Sequence, residues 1–531
     1  MSRRRLAGTV TGEHDCTLSL ARGLQAAGVR RVFGVPGGGP NLNMIAACQD
    51  LGLQFVLAHG ETAACIMAAT YGQVTGTPGV AVVTRGPGFA SASNGLAQAT
   101  LDRFPLLLIS DVVSADSADR VAHQRLDQVS AARPLTKWSG TLGHLGTEQA
   151  VRAAAELACT APAGAVHLAF DPSLPGDRPP AARHALRSDE GTWEGARRLL
   201  EQASRPVILI GLDGARHAVA VRKALEAFDC PVLVTYQAKG VAAESMSTYA
   251  GLFTGATMEQ PLLAAADLLV GVGLDPVELM PGRWPHTAPM LMFHSHAVET
   301  SYFGNPLALV GTYELDLPEL LSACRPTWET GTGRHYRNRH VKQLAAGIAG
   351  LSPQAVVRAT HDALPASVVT VDAGAHMLVA MSLWETDEPT VLISNGLATM
   401  GFALPAAIGA ALALPQSRVV CFVGDGGLGM VLAELETLAR LQLNVTVVVF
   451  NDACLTLIQL KQTRAAGADQ AVTYGLTDFA AAAISMGVPG EVVADLASLR
   501  ETLDRPAAGP FLIDARIDPS GYADVLRAIR G

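Results

Sequence analysis

The sequence predicts an α/β protein of three doubly wound domains, each a parallel sheet covered by helices on both faces. Its 531 residues exceed the length of a typical domain several-fold. Short apolar segments of strand length alternate with segments of helical length along most of the chain, and this order predicts parallel sheets. Two polar stretches interrupt the alternation, which indicates two linkers and therefore three domains.

The first predicted domain covers residues 1–185 and begins with an amphipathic helix over 17–29 and a strand over Arg31–Val35. Pro-Gly-Gly-Gly-Pro at 36–40 ends that strand, because proline lacks an N–H group and glycine favours turns. The other predicted elements are strands at 53–57, 79–84 and 105–110, and helices that start near Glu61 and Ala90.

The second and third predicted domains cover residues 186–340 and 341–531. The stretch 171–190 is rich in proline, arginine and aspartate without apolar periodicity, so we expect an exposed linker there. A second polar stretch, 325–339, ends the middle series. The predicted strands are Pro206–Ile210, 231–235 and 267–272 in the middle domain, and Val368–Val371, 418–423, 445–450 and 511–514 in the third.

Composition excludes several classes of protein. Hydrophobic residues make up 49% and charged residues 16%, and the net charge of −9 is spread along the chain, so large-scale disorder and nucleic-acid binding are not expected. Eight scattered cysteines show no Cys-x-x-Cys spacing, which predicts reduced thiols. No apolar stretch is long enough to cross a bilayer. We therefore expect a cytoplasmic protein with no membrane partner.

Residues 418–462 contain two strands that each end in acidic residues. The first ends at Gly424-Asp425-Gly426-Gly427 and is followed by a helix from about Met430; the second ends at Asn451-Asp452. Both ends lie at the carboxyl edge of a parallel sheet, where open α/β sheets bind ligands. Glycine N–H groups and a helix N-terminus favour phosphate, and two carboxylates suit Mg²⁺. The segment predicts a diphosphate and magnesium site at Asp425 and Asp452.

This segment resembles the Gly-Asp-Gly to Asn-Asn signature of thiamine-diphosphate enzymes, through the following Leu-Ile-Gln-Leu-Lys-Gln. Asp452 stands where the family commonly has a second asparagine, which keeps an oxygen ligand but adds charge. The resemblance implies that Gly424, Gly426 and Gly427 contact the cofactor. It also implies that the backbone carbonyl of Cys454 is a third metal ligand.

Residues 394–410 are similar to the family loop that grips the aminopyrimidine ring. The resemblance places Met400 at the position of the apolar wedge beneath the bent cofactor, although core packing would also explain a methionine. It implies that the carbonyl of Ala398 accepts a hydrogen bond from the 4′-amino group. The run 372–376, Asp-Ala-Gly-Ala-His, resembles the other phosphate-side turn, with His376 as a phosphate contact.

Glu61 follows a buried strand and opens a helix of small residues. A glutamate in a first turn is often favourable only to the helix dipole. The segment 56–73 resembles the family segment whose glutamate hydrogen-bonds N1′ of the pyrimidine, which implies that Glu61 is catalytic. In this family one subunit supplies the glutamate and its partner the diphosphate site. The resemblance therefore implies a homodimer or homotetramer, with a pyrimidine-binding first domain and a diphosphate-binding third domain.

The loop 32–40 resembles the acetolactate synthase glycine loop, which implies that Gly37 and Gly38 contact the cofactor. Simple pyruvate decarboxylases have an aspartate where Gly38 stands, so transfer to an acceptor is favoured over release of free aldehyde. Residues 84–88 match the family's Ser-Gly-Pro-Gly turn, with Arg85 in place of serine. Gly38 and Arg85 are candidate substrate contacts.

His123 and Gln124 match a segment that reads Phe-Gln in acetolactate synthases. The His-Gln pair is similar to carboxyethylarginine synthase, which implies catalytic and substrate-binding roles; a lone histidine is more often structural. A histidine pKa near neutral suits a proton shuttle. Lys461 replaces a pocket tryptophan, and either binds an acidic group of the acceptor or is a solvated helix lysine.

These resemblances imply a thiamine diphosphate- and Mg²⁺-dependent decarboxylase and carboligase that acts on a 2-oxo acid and an acceptor. Residues 273–278 lack the Gly-Ala-Arg-Phe-Asp-Asp-Arg run of flavin-binding acetolactate synthases, so we expect no FAD. Two alternatives remain open. One is a carbon–carbon lyase similar to 2-hydroxyacyl-CoA lyases, and the other is a non-catalytic relative that binds the cofactor.

Overall fold

The fold is described from a computed structural model of the chain. It covers residues 3–183, 185–226, 228–344, 350–462, 471–505 and 508–530. Across these ranges, no helix combines the length and the apolar character needed to cross a membrane. None of the eight cysteines, all of which lie in the described ranges, forms a disulfide. The prediction of reduced thiols is consistent with this.

The first unit is a six-stranded parallel sheet in the order β2-β1-β3-β4-β6-β5. The central strands β3, Gly79–Val83, and β4, Leu106–Asp111, are buried along their whole length, as expected for a sheet covered on both faces. The other strands are β1 Arg31–Val35, β2 Gln54–Leu57, β5 Trp138–Leu142 and β6 Ala165–Phe170; the helices are α1 Arg3–Ala26, α2 Pro40–Asp50, α3 Glu61–Thr75, α4 Pro87–Leu101, α5 Gln128–Ala132 and α6 Thr147–Cys159.

The middle unit repeats this architecture with the order β12-β11-β10-β7-β8-β9. Its core strands are runs of valine, isoleucine and leucine, which suit strands buried on both faces. The strands are β7 Pro206–Ile210, β8 Val232–Val234, β9 Tyr249–Leu252, β10 Leu268–Val272, β11 Met290–His294 and β12 Leu307–Val310; the helices are α7 Glu190–Gln202, α8 Leu212–Arg216, α9 Ala218–Leu225, α10 Gln260–Leu263 and α11 Asp316–Ser322.

The third unit has the order β14-β13-β15-β16-β18-β17, again with parallel pairs. The strands are β13 Val368–Val371, β14 Val391–Ile393, β15 Val419–Gly424, β16 Val445–Asn451, β17 Gly490–Val493 and β18 Phe511–Arg516; the helices are α12 Thr332–Leu344, α13 Pro353–Ala363, α14 Ala375–Leu383, α15 Ala403–Ala413, α16 Asp425–Met430, α17 Glu434–Leu441, α18 Thr456–Gln462, α19 Phe479–Ser485, α20 Leu496–Leu503 and α21 Gly521–Arg530.

The first and third units pack together through α3 and α15, two helices rich in alanine and glycine. Their residues belong to one hydrophobic cluster, and Gly409 of α15 lies so close to the backbone of Met67 that a side chain would overlap it. Buried Asp102 adds a polar link, since its carboxylate accepts hydrogen bonds from Ser394 Oγ and Gly396 N, each at 2.6 Å. These contacts hold the loop that follows β14 against the first unit.

The structure confirms three parallel α/β units and corrects several element predictions. The polar stretch 325–339 is partly helical, because α12 begins at Thr332. The helix after β15 begins at Asp425 and not near Met430.

Strand β6 was not predicted, since it contains His167, which is fully buried. Ser110 and Ser139 hydrogen-bond its two ring nitrogens at 2.8 Å, which makes a polar residue tolerable in the sheet. The domain boundaries at 185 and 340 stay predictions.

Candidate functional site

A cavity of about 440 Å³ lies at the carboxyl edge of the third sheet. Strands β13, β15 and β16 point their carboxyl ends at it, and the wall opposite them comes partly from the middle unit. Ten of the predicted site residues line this cavity: His376, Ala398, Met400, Gly424, Asp425, Gly426, Gly427, Asp452, Cys454 and Lys461.

Asp425 is held by four hydrogen bonds at the end of β15. Its Oδ1 accepts Gly426 N and Tyr474 Oη, each at 2.7 Å. Its Oδ2 accepts Ala453 N at 2.7 Å and Asp452 N at 3.2 Å. Ala453 adopts a φ of 56°, which is uncommon for a residue with a side chain. The carboxylate of Asp425 therefore joins the turn after β15 to the turn after β16.

Asp452 is the second carboxylate on this wall. Its Oδ1 accepts Cys454 N at 3.2 Å, and its Oδ2 accepts Thr456 Oγ1. Burial, together with the nearby charge of Asp425, raises the pKa of Asp452 to about 6. Burial also raises the pKa of Asp425. Two buried negative charges this close together are unfavourable in free energy, and a hard cation between the carboxylates would offset that penalty.

The glycine turn beside these carboxylates leaves room for a ligand and little room for side chains. A methyl group at Gly426 would lie 2.7 Å from Leu455 Cδ2 and 3.0 Å from Tyr474 Oη. One at Gly427 would overlap Asp372 Oδ2. Phosphate oxygens prefer backbone N–H donors of the kind found at glycine turns, and Gly424, Gly426 and Gly427 line the cavity. In the described ranges, no group of three or more histidine, cysteine, aspartate or glutamate side chains could hold a metal ion, so a cation here needs backbone, phosphate or water oxygens as further ligands.

His376 adds a neutral polar group to the same cavity. Its ring stacks on Phe450 with centroids 5.3 Å apart, and burial lowers its pKa to about 3. Within the described ranges, its Nε2 is buried without a hydrogen-bond partner. Such an orphaned polar atom is costly unless a ligand satisfies it. The two carboxylates, the glycine turn and this imidazole together fit a diphosphate with a divalent cation.

Asp372, directly after β13, positions the loop that precedes α15. Its carboxylate accepts the N–H groups of Gly401, Phe402 and Ala403 at 3.0, 2.8 and 3.3 Å. These bonds cap α15 and hold the loop that carries Met400 into the cavity. Burial raises the pKa of Asp372 to about 6. On the same loop, Ala398 adopts a φ of 55°, a strained conformation of the kind that collects at ligand sites.

Glu61 does not line this cavity within the one described chain. It is the first residue of α3, preceded by His59 and Gly60, whose N–H groups donate to Glu434 Oε1 at 2.9 and 3.1 Å. Its Oε1 lies near the turn 84–88, where a methyl group at Gly88 would be 3.3 Å away. Glu61 therefore belongs to a second set of predicted residues on the first unit.

That second set gathers around the turn 84–88. Gly37 packs directly against Thr84, and a methyl group at Gly86 would lie 3.0 Å from Gln124 Cβ. The Arg85 Nε lies 3.4 Å from Asp111 Oδ2. Gln124 has a φ of 57°. Gly38 is open, since a methyl group added there would have no atom within 4 Å, and His123 is exposed beside Gln124.

Three residues that support these sites were not predicted as site residues. Tyr474 donates to Asp425, and it reaches that position because Cys454 pairs with Thr473 in an antiparallel bridge. Asp111 positions Arg85, whose backbone N–H donates to Asp111 Oδ1 at 3.0 Å. Asp372 was noted in the sequence only as part of a turn. No local motif signals the roles of Tyr474 and Asp111, since both depend on chain segments distant in sequence.

Comparison with known proteins matches all three units. The thiamine pyrophosphate enzyme N-terminal TPP binding domain matches residues 16–131, the central domain matches 194–310 and the C-terminal TPP binding domain matches 372–515. The acetolactate synthase of Bacillus subtilis (strain 168) is 30% identical over 522 residues, which cover 93% of this chain and 91% of that protein. The chain belongs to the acetolactate synthase-like family of thiamine pyrophosphate enzymes.

Two other acetolactate synthases are similar to this chain over nearly its whole length. The catabolic acetolactate synthase of Raoultella terrigena is 29% identical over 539 residues, with 93% of this chain and 94% of the relative covered. The acetolactate synthase isozyme 2 large subunit of Escherichia coli (strain K12) is 28% identical over 522 residues, with 93% and 94% covered. The family assignment therefore extends over nearly the whole chain, and it agrees with the cavity at the third sheet.

Proposed function

We propose that this chain is a thiamine diphosphate- and Mg²⁺-dependent enzyme that decarboxylates a 2-oxo acid and transfers the acyl group to an acceptor. One observation carries the proposal: a single cavity is lined by Asp425, Asp452, the glycine turn 424–427 and His376, whose buried Nε2 has no hydrogen-bond partner among the described residues. These groups match the needs of a cofactor whose diphosphate tail binds through a metal. The family membership supports the same cofactor.

The diphosphate end of the proposed site is assigned to the turns after β15 and β16. Asp425, Asp452 and the carbonyl of Cys454 would hold Mg²⁺, with cofactor and water oxygens completing the coordination. Gly424, Gly426, Gly427 and His376 would donate to, or make room for, the phosphates. Tyr474 and the N–H groups of 452 and 453 fix the carboxylate of Asp425, so that its orientation is set before the ligand binds.

The ring end of the proposed site is assigned to the loop before α15. Met400 and Ala398 both line the cavity; Met400 would support a bent cofactor, and the carbonyl of Ala398 would accept a hydrogen bond from the aminopyrimidine. When bound, the cofactor's thiazolium supplies the electron sink for decarboxylation. Asp372 holds this loop through three backbone N–H groups, and therefore acts as a positioning residue.

Glu61 is proposed to reach the pyrimidine nitrogen of a cofactor bound in the partner subunit. Within one chain, Glu61 and the cavity lie apart, and a second copy of the chain would bring the two sets of residues together. The arrangement supports a homodimer or a homotetramer. The carboxyl group of Glu61 would hydrogen-bond pyrimidine N1′ and so favour the tautomer that activates the cofactor.

The set around the turn 84–88 is proposed to face the substrates. Arg85 supplies a positive charge for the carboxylate of the 2-oxo acid, and Gly37 and Gly38 leave space beside it. Gln124 and His123 are placed next to that turn, where His123 is a candidate proton shuttle. Lys461 on the cavity wall is a second cation for an acidic group of the acceptor.

We propose that no flavin binds the middle unit. The segment 273–278 is committed to contacts within the protein: Asp275 Oδ2 pairs with Arg103 Nε at 2.8 Å, and Glu278 Oε2 accepts Leu212 N at 2.8 Å and Asp275 N at 3.2 Å. These contacts support the proposal that the segment has a structural role. An absorbance spectrum of the purified protein with a peak near flavin wavelengths would contradict it.

Product analysis with pyruvate tests the proposed reaction. With thiamine diphosphate and Mg²⁺, we expect CO₂ release and a ligated product when an aldehyde or a second 2-oxo acid is present. Cleavage of a 2-hydroxyacyl-CoA without pyruvate turnover would instead identify the lyase. Hydrogen–deuterium exchange at cofactor C2 no faster than in water would identify a non-catalytic cofactor-binding relative.

Glu61→Gln tests the proposed catalytic carboxylate. We expect a loss of about 10²- to 10⁴-fold in C2 exchange and in turnover, with cofactor binding retained. Glu148→Gln is the matched control, because Glu148 also lies in the first turn of a helix and outside both sets of site residues. Equal exchange rates in the two variants would refute the role of Glu61.

A further inference from the structure

The last helix of the chain, α21, lies along the cofactor cavity. Its apolar residues Tyr522, Val525 and Ile529 are buried and belong to the same hydrophobic cluster as Ala375 and Met377 of α14. The spacing of three and four residues is that of one helical face. The backbone of this end is anchored to the middle unit, since Thr257 N donates to Ile529 O at 3.1 Å. Helix α21 is therefore held in place at its carboxyl end.

Arg530, the last residue of α21, lines the cavity with Tyr522 and Ile529. Its Nε is buried and has no hydrogen-bond partner within the described ranges. In those ranges, the guanidinium also makes no ion pair. A helix C-terminus favours any cation in its last turn. Arg527 is a cation of this kind that is exposed and has an ordinary surface partner. The side chain of Arg527 is 69% exposed and pairs with Asp524 at 3.1 Å.

Glu259, near the segment that binds the end of α21, already has hydrogen-bond partners. Glu259 is buried, and its Oε1 accepts the N–H groups of Thr254 and Ala256, each at 2.9 Å. Thr254 and Tyr236 line the same cavity as Arg530. Glu278, which lines the cavity with Arg530, likewise accepts hydrogen bonds from Thr235 Oγ1, Leu212 N and Asp275 N. An unpaired charged donor in such a place is costly unless a ligand anion satisfies it.

The charges that line the cavity indicate which ligand anion would pair with Arg530. A diphosphate carries several negative charges, and Asp425 and Asp452 add two more, so Mg²⁺ offsets only part of the total. His376 contributes no positive charge, because burial lowers its pKa to about 3. Lys461 and Arg530 are the cations among the lining residues. Arg530 lies on α21, which packs against α14, and the N-terminal residues of α14 include His376.

We propose that Arg530 is a cofactor-binding residue whose guanidinium pairs with the terminal phosphate of thiamine diphosphate. The inference rests on the proposed function, since it presumes that the diphosphate occupies this cavity. Arginine suits the task because its planar group donates two parallel hydrogen bonds to phosphate oxygens. The last turn of α21 thereby closes the diphosphate end of the site.

Calorimetric titration of the full-length protein with thiamine diphosphate in the presence of Mg²⁺ tests this role. We expect Arg530→Gln to raise the Kd by about 10- to 100-fold, the range for a lost hydrogen bond to a charged group, and Arg530→Lys to raise it less. The Kd for thiamine monophosphate should change little, because that ligand lacks the terminal phosphate. Arg527→Gln is the matched control and should leave both constants unchanged.

The result that overturns the inference is an equal Kd for thiamine diphosphate in Arg530→Gln and Arg527→Gln. A raised KM for the 2-oxo acid with an unchanged cofactor Kd also overturns it, because the guanidinium then serves the substrate. Thermal unfolding of each variant, followed by circular dichroism, verifies that the fold is retained. If the wild type binds no thiamine diphosphate, the proposed function itself fails; wild-type binding with unaffected variants removes only this inference.

Discussion

Replacing Gly427 by alanine should loosen the loop that precedes α15, although the two lie far apart in sequence. The added methyl group would overlap Asp372 Oδ2. That carboxylate is fully buried and accepts the N–H groups of Gly401, Phe402 and Ala403. The added methyl group would displace this carboxylate, so Asp372 must give up part of its hydrogen bonding.

The size of the effect follows from the bonds at risk. Losing two of the three bonds costs about 4 kcal/mol, at about 2 kcal/mol for each buried group left unsatisfied. Alanine in place of glycine in a helix recovers about 1 kcal/mol. The net loss is about 3 kcal/mol, which corresponds to roughly 100-fold faster local opening, since about 1.4 kcal/mol is a factor of ten. Thiamine diphosphate should also bind more weakly, because the loop carries Met400.

Hydrogen exchange measured by mass spectrometry reports this local opening directly. Peptides that cover residues 401–404 should exchange roughly 100-fold faster in Gly427→Ala. Gly429→Ala is the matched control, because Gly429 lies on the same short helix and has no atom within 4 Å of the added methyl position. If these peptides exchange at the same rate in the two variants, the proposed coupling through Asp372 is wrong.

Two further predictions concern the metal and the response to pH. Asp452→Ala should weaken Mg²⁺-dependent cofactor binding by about 10- to 100-fold, and Asp452→Asn, which keeps an oxygen ligand, should weaken it less; identical Mg²⁺ titrations for the two variants and the wild type would argue against a metal role. The second prediction concerns His167, whose pKa is lowered by burial to about 3. Its contribution to stability is present while the unfolded imidazole is neutral and is lost as pH falls below the unfolded value of about 6.5. Between about pH 7 and pH 5.5 the wild type should therefore lose about 1 kcal/mol more unfolding free energy than His167→Gln; parallel urea-denaturation profiles for the two proteins would contradict this.

The grouping of residues around the cavity at the third sheet was largely predictable from local sequence. A buried strand followed at once by Gly424-Asp425-Gly426-Gly427, and a second strand followed by Asp452, put glycines and carboxylates at one sheet edge. Parallel strands bring their carboxyl ends together whatever their separation in the chain, so no long-range information was needed. The same local pattern explains why Met400 and His376, each after a strand of the same sheet, reached the same cavity.

Long-range partners were not predictable from these patterns. Strand β6 was missed because His167 breaks its apolar run, and only Ser110 and Ser139 on neighbouring strands make that histidine acceptable. Tyr474 reaches Asp425 from a segment with no motif of its own. In each case the deciding contact joins residues whose spacing along the chain carries no periodic signal.

By itself, the sequence determined three parallel α/β units and the chemistry of the turns after β15 and β16, because alternating apolar segments and strand-ending glycines act locally. The tertiary structure alone decided which residues meet. It separated Glu61 from the cavity of its own chain and grouped it with the turn 84–88. It also brought Arg530, at the far end of the chain, to the wall beside α14. Those outcomes depend on packing between distant helices and sheets, which no single segment encodes.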